Sequence, residues 1–424
     1  MTSIQAIRAR EILDSRGNPA VEVMVSLSDG TVSVASTPSG ASIGIYEAVE
    51  LRDGGDRFGG MGVLKAISNI HGKIAPALEG MSPCNQEQID TRILEIDGTD
   101  NKSNLGTNAT LGVSIAIARA AAKLAGSSMY KHLSIDDDSI LPVPMFNVLN
   151  GGRHSNNSVD FQEFMVVPAG VQSFAEALRA GAEVYRALGN ILEEKGLSTN
   201  VGDEGGFAPE VKSNREAIDL LCFGIERAGY ELGVECYVSV DVAAAELYKN
   251  GRYELIHEGL SFNCREFITF LESTLSSEYV VSIEDPFTED DWDCWNALTT
   301  EMGDKCQIVG DDLFTTNASR IKEGMKNGVA NAVLIKPNQI GTLTETIEAV
   351  RISKECGWGT VMSHRSGETE DTAIADLSVA WSLGQIKAGA PVRGERTAKY
   401  NRLLLIEQEL GDKSTYGGDG LYEN

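Results

Sequence analysis

Apolar and polar residues alternate with a period of two along Asn18-Pro19-Ala20-Val21-Glu22-Val23-Met24-Val25-Ser26-Leu27, the pattern of a half-buried strand, and Asp29-Gly30 supplies a turn after it. A Gly/Ser/Pro stretch from Thr37 to Gly44 predicts a loop, and the Ala-rich run Ala109–Lys123 predicts a helix. Strands first and helices later are the order of an α+β module. From Leu141 onward the pattern changes. Short β-branched runs (Cys236–Asp241, Val280–Glu284, Cys306–Asp311, Ala332–Lys336, Thr360–His364, Gln385–Lys387) alternate with helical stretches (Arg265–Ser276, Ala318–Lys326, Leu343–Lys354, Thr372–Leu383, Thr397–Glu409). Strand-plus-helix units imply parallel strands with right-handed crossovers. Together with Leu141–Asn150 and Glu163–Val167 they make eight strands, which favours a closed β/α barrel over a doubly wound open sheet. The expected fold class is therefore α/β. An N-terminal α+β capping domain over residues 1–135 carries the lid loop, and a TIM-like barrel catalytic domain covers 136–424, joined at Asp136-Asp137-Asp138.

Composition narrows the function. A chain of 424 residues is long enough for about two domains, and 42% hydrophobic content can fill both interiors. No run approaches the roughly 20 apolar residues of a membrane span, and the first residues carry no apolar signal-peptide core, so a cytoplasmic protein is expected. Seven scattered cysteines without a C-x-x-C pair read as buried free thiols in a reducing compartment. A net charge of −26 argues against nucleic acid as partner. It also means that an anionic substrate must be captured by local cations, since the long-range field repels it.

Charged residues close six of the predicted strands: Asp241, Glu284, Asp311, Lys336, His364 and Lys387. A single charge there is usually a helix cap or a solvated turn. Six at one topological position point into one barrel mouth, where catalytic groups collect. Asp241, Glu284 and Asp311 cannot share that mouth as bare anions, and a hard divalent cation with oxygen ligands, Mg²⁺, resolves the conflict. A lysine ordinarily titrates near 10.4, so Lys336 or Lys387 can act as a base near neutrality only if its ammonium form is destabilised. A neighbouring ammonium, a metal and burial all push that way, while the other lysine stays protonated and holds an anion. Three Gly-rich loops add to the set. Ser39–Gly44 bears hydroxyls, Gly202-Asp-Glu-Gly-Gly206 brings two carboxylates close to a ligand, and His364-Arg365-Ser366-Gly367 offers phosphate partners. His154, after Asn150-Gly-Gly-Arg153, falls in a loop at the mouth.

These motifs, with Asp14-Ser-Arg-Gly-Asn-Pro19, Asn147-Val-Leu-Asn-Gly-Gly152, Ser282-Ile-Glu-Asp-Pro286, Gly310-Asp-Asp-Leu313 and Leu334-Ile-Lys-Pro-Asn-Gln-Ile-Gly341, resemble those of the enolase family in order and over nearly the whole chain. The resemblance implies a lyase that dehydrates 2-phosphoglycerate to phosphoenolpyruvate in glycolysis and gluconeogenesis. A Lys or His base beside one or two Mg²⁺ ions is an already described pattern of that superfamily rather than a deduction from this chain. By matching motif, Lys336 would take the C2 proton, and Glu204 would deliver a proton to the leaving hydroxyl with Glu163 and His154 beside it; His364 joins the catalytic set. Asp241, Glu284 and Asp311 would hold the first Mg²⁺, which with Lys387 stabilises the aci-carboxylate. Ser42 would complete a second Mg²⁺ site with the substrate phosphate. Arg365 and Ser366 would bind phosphate, Lys387 the carboxylate, and Gln162 would position substrate. The resemblance also implies a homo-oligomer, dimer or octamer, and a cell-surface or secreted pool beside the cytoplasmic one. Departures from the family pattern are Ile43 for Thr in the lid, Ala245 for Ser, Gly394 for Ser and Ala388 for Thr. Two other readings stay open: an enolase-like paralogue acting on a related phospho or phosphono acid, of the carboxyphosphonoenolpyruvate synthase type, and a non-catalytic protein on the same scaffold.

Overall fold

The alternation at residues 19–27 forms the centre of a three-stranded antiparallel meander, β1 (Ile4–Leu13), β2 (Pro19–Leu27) and β3 (Val32–Ser36). A computed structural model of the chain describes residues 2–40, 44–135, 139–154 and 159–422, with the backbone alone at His154. The Asp14 carboxylate accepts the amides of Arg16 and Asn18 at 2.9 and 2.8 Å and so shapes the β1–β2 turn. One face of the meander is covered by α1 (Thr107–Leu124), whose Gly112 sits so close to β2 that a Cβ there would lie 2.8 Å from a Val23 methyl. The other side of α1 docks on the second layer. Thr107 and Thr110 donate to the carbonyls of Asn338 and Gly341, each at 2.7 Å. A helix covered on both sides is apolar nearly all round, which explains its Ala-rich sequence.

Eight strands close a barrel: β4 (Val143–Asn150), β5 (Glu163–Val167), β6 (Tyr237–Asp241), β7 (Val280–Glu284), β8 (Gln307–Gly310), β9 (Ala332–Ile335), β10 (Gly359–Ser363) and β11 (Gly384–Lys387). Side chains with oxygen acceptors begin its helices, as at α2 (Phe174–Glu194, cap Ser173), α3 (Asn214–Arg227, cap Ser213) and α4 (Cys264–Leu275, cap Asn263). After these come α5 (Trp292–Met302), α6 (Ala318–Asn327), α7 (Leu343–Glu355), α8 (Ala373–Ala380) and α9 (Gly394–Leu410).

Two expectations need correction. The strands are not all parallel: β5 runs antiparallel to both β4 and β6. Among the described residues between β4 and β5 the one helical element is the short turn Gly152–His154, too little to carry the chain back to the opposite end, and a direct return is antiparallel. The reversal puts the first residue of β5, Glu163, at the mouth, opposite Asp241. The cysteines are not all free and buried either. Cys264 and Cys294 form a disulfide between the first turns of α4 and α5, with Cα atoms 5.9 Å apart, and Cys84 is exposed. Thirty residues separate that pair in sequence, and only the packing of the two helices brings it together. Among the described residues no helix is long and apolar enough to cross a membrane.

Candidate active site

The strand ends converge. Gln162, Glu163, Glu204, Asp241, Asp311, Lys336, His364, Arg365, Ser366 and Lys387 line one cavity at the barrel mouth, and Glu284 lies against the Lys387 ammonium. Each strand delivers its charged residue at or just past its last position because the β-ladder ends there and the chain turns outward.

Lys387 organises one half of the mouth. Its Nζ lies 3.0 Å from both carboxylate oxygens of Glu284, 3.2 Å from Asp241 Oδ2 and 3.1 Å from Glu163 Oε2. Burial alone would depress this lysine, but Asp241, Glu163 and Glu284 outweigh it and hold the ammonium well above its usual range. Gln162 donates from Nε2 to Asp241 Oδ2 at 3.2 Å. Burial, followed by the neighbouring Asp241 charge, pushes Glu284 up to about 8 against the pull of Lys387. Glu163 is likewise raised well above the usual carboxylate range, by burial and then by Glu204.

Lys336 occupies the other half and departs from expectation. Burial does work to lower it, but its ion pair with Asp311 wins and its pKa is raised, not depressed. The same pair pulls Asp311 down although burial opposes this, and Gln339 Nε2 donates to the other Asp311 oxygen at 2.8 Å. In this state Lys336 is an ammonium.

The acid groups fit a divalent cation, and the trio whose oxygens converge shares only Asp311 with the three ligands the sequence suggested. Asp285, Asp311 and Asp312 present oxygens all within 4.8 Å of one another. Asp285 accepts the amides of Asp311 and Asp312, each at 2.9 Å, and so braces the loop that carries them. Burial pushes Asp312 up to about 8 and Asp285 well above the usual range, with the adjoining carboxylates adding to both. Acid groups outnumber lysines here, and every available donor is oxygen, the chemistry a hard dication selects. The mouth therefore holds an acidic cluster of the kind that binds a divalent metal.

Glu204 comes from the Gly-rich loop of residues 202–206. Gly205 follows it at φ +90°, a left-handed conformation that glycine adopts without penalty, and the Glu204 carbonyl accepts from Ala390 N at 2.9 Å. Its Oε2 lies 3.2 Å from His364 Nε2 and accepts from Asn147 Nδ2 at 3.1 Å. Burial pushes His364 down to about 4, so its ring is neutral near pH 7. Arg365 is gripped by Glu47 at 2.8 and 3.1 Å and donates to Asn338 Oδ1 at 3.3 Å. Burial opposes its charge, but Glu47 holds the guanidinium firmly protonated. The adjoining Gly367 pairs with Ser39 in a two-way backbone bridge at 2.8 and 2.9 Å, which ties the predicted lid loop to the predicted phosphate loop. Ser42, Ile43 and the His154 side chain lie outside the described residues.

Sequence reasoning missed Glu47, Asn147, Asp285, Asp312 and Gln339. Asp285 and Asp312 each directly follow a predicted ligand, in Ile-Glu-Asp-Pro and Gly-Asp-Asp-Leu, so a signal was present. Glu47 had none: it meets Arg365 across 318 residues.

A closed barrel whose mouth gathers buried carboxylates and two lysines, roofed by an α+β layer, has the make-up of a barrel enzyme with an acid–base site. A family model described as the enolase N-terminal domain matches residues 4–133, and one for the enolase C-terminal TIM barrel domain matches residues 138–424. The chain belongs to the enolase family. It is a carbon–oxygen lyase of the phosphopyruvate hydratase type, dehydrating 2-phosphoglycerate to phosphoenolpyruvate in glycolysis.

Proposed function

We propose that Lys336 removes the C2 proton of 2-phosphoglycerate and that Glu204, with Glu163, His154 and His364 around it, protonates the departing 3-hydroxyl. The observation that carries this division is the placement of Lys336 and Glu204 in one cavity with different partners, Asp311 for the lysine and His364 with Asn147 for the glutamate. Lys336 must lose its proton before it can accept one, and its contact with Asp311 retains that proton. Drawing the Asp311 charge away therefore brings the lysine toward neutrality. Lys387 remains an ammonium and neutralises the substrate carboxylate, while Arg365 and Ser366 receive the phosphate and Gln162 orients the chain of carbons. Asp241, Glu284 and Asp311 would hold Mg²⁺, Ser42 would help hold a second ion beside substrate, and the metal would supply positive charge to offset the charge that develops on the substrate carboxylate.

Family membership further supports a cytoplasmic homo-oligomer, a dimer or an octamer built from dimers, with a small phosphorylated acid as ligand and no nucleic acid. It also supports a division of the chain near residues 135/136 with the lid on the smaller part. Solvent exchange at C2 and phosphoenolpyruvate formation, measured separately, test the catalytic assignment. Lys336→Ala should abolish exchange. Glu204→Gln should keep exchange while dehydration falls by about 10²–10⁴-fold, the range general acid catalysis supplies. Equal loss of exchange in both variants would refute it.

A further inference from the structure

Arg396, the third residue of α9, is fully buried, and its guanidinium reaches the back of the site. One nitrogen, Nη1, lies 2.7 Å from His364 Nδ1 and donates to the Arg365 carbonyl at 2.7 Å. The other, Nη2, donates to the carbonyls of Ser366 at 2.6 Å and Asp203 at 3.1 Å. Three carbonyls from the loops on either side thus fix the orientation of the fork. A guanidinium only donates and keeps its charge at any working pH. His364 Nδ1 must therefore accept, which leaves the single ring proton on Nε2, the atom 3.2 Å from Glu204 Oε2. The opposite tautomer would set N–H against N–H at Arg396 and lone pair against lone pair at Glu204.

We propose that Arg396 is a positioning residue that locks His364 as its Nε2–H tautomer, so that His364 and Asn147 together reserve Glu204 Oε2 as an acceptor and the proton Glu204 delivers resides on Oε1. This rests on the reading of Glu204 as the acid. Asn147 Nδ2 donates to Oε2 at 3.1 Å and His364 Nε2 lies 3.2 Å from the same oxygen, so a proton placed there would face both. The low pKa of the ring agrees with the geometry: burial and then the charge of Arg396 disfavour the imidazolium, while Glu204 opposes them. The arrangement keeps one carboxyl oxygen in a constant hydrogen-bonding role, so the proton is presented in one orientation, which is what acid catalysis requires.

Nitrogen-15 NMR of histidine-labelled protein reads the tautomer directly. The chain has five histidines, and His364→Asn assigns the resonances by their loss. In the wild type at pH 7 the spectrum should show a protonated Nε2 and an unprotonated Nδ1. Arg396→Met should give a mixture of tautomers and slow dehydration by about tenfold or more, with C2 exchange retained. Arg396→Lys, which also only donates, should restore much of the Nε2–H population and of the rate. An Nδ1–H or imidazolium ring in the wild type would overturn the proposal. So would an unchanged tautomer in Arg396→Met, or a parallel fall of exchange and dehydration. If Arg396→Met does not fold, the wild-type spectrum alone decides. Loss of exchange in Glu204→Gln would remove the acid assignment while leaving the tautomer measurement standing, so the two failures are distinguishable.

Discussion

His364 illustrates how one residue links site chemistry to stability. Its folded pKa of about 4 lies below the ordinary histidine value, so between roughly pH 4 and 6.5 the unfolded chain binds a proton that the folded protein refuses. Stability from the neutral ring is fully present above about 6.5 and is lost as pH falls toward 4, with a limit on the order of 3 kcal/mol. Denaturant unfolding at pH 7 and pH 5 should therefore show a smaller loss for His364→Asn than for the wild type. An equal loss in both would mean that this ring is not the group responsible. Glu284 works in the opposite direction: raised to about 8, it favours the folded state at low pH and loses that contribution as pH climbs. Comparing variants at fixed pH separates the two.

At the scale of elements, the barrel is assembled from strand ends whose partners come from other segments. Ala243, two residues past β6, and Asp285, directly past β7, have positive φ angles of 46° and 42°. Such backbone is retained where surrounding contacts over-determine it. For Asp285 those contacts are the two amides its carboxylate accepts. The segment after β7 is anchored further on: Thr288 O accepts from Trp295 at 2.9 Å, Tyr253 OH donates to Asp291 at 2.7 Å, and the Cys264–Cys294 disulfide joins the helices on either side. Alkylation of the denatured, unreduced protein should modify five cysteines, and reduction beforehand should raise this to seven. Seven without reduction would contradict the pairing. The starts of α6 and α7 fall where the sequence pattern put them, at Ala318 and Leu343, and each follows a local cap, Asn317 and Thr342. The direction of β5 was not legible, since a short apolar run carries no information about which way it crosses a sheet.

At the scale of the whole molecule, the net charge of −26 repels an anionic substrate, and Lys336, Arg365 and Lys387 at the barrel mouth are the local cations that could offset this. The acidic cluster at that mouth should make the folded protein metal-stabilised. Mg²⁺ at about 100 times its dissociation constant contributes about 2.7 kcal/mol, visible as a rise in Tm without any turnover. Asp241→Asn, Glu284→Gln and Asp311→Asn should each diminish that rise, and an undiminished rise in all three would place the metal elsewhere.

What the chain determined by itself was local or periodic: the two folding regimes, eight strands, and charged residues at strand ends, because hydrophobic period and the position of a charge in a run are properties of neighbouring residues. Tertiary structure alone decided that β5 is reversed, that Cys264 meets Cys294, that Glu47 grips Arg365, and that Lys336 is an ammonium on Asp311. Ion pairing, burial and covalent closure depend on separation in space, and these partners come from segments whose distance along the chain says nothing about it.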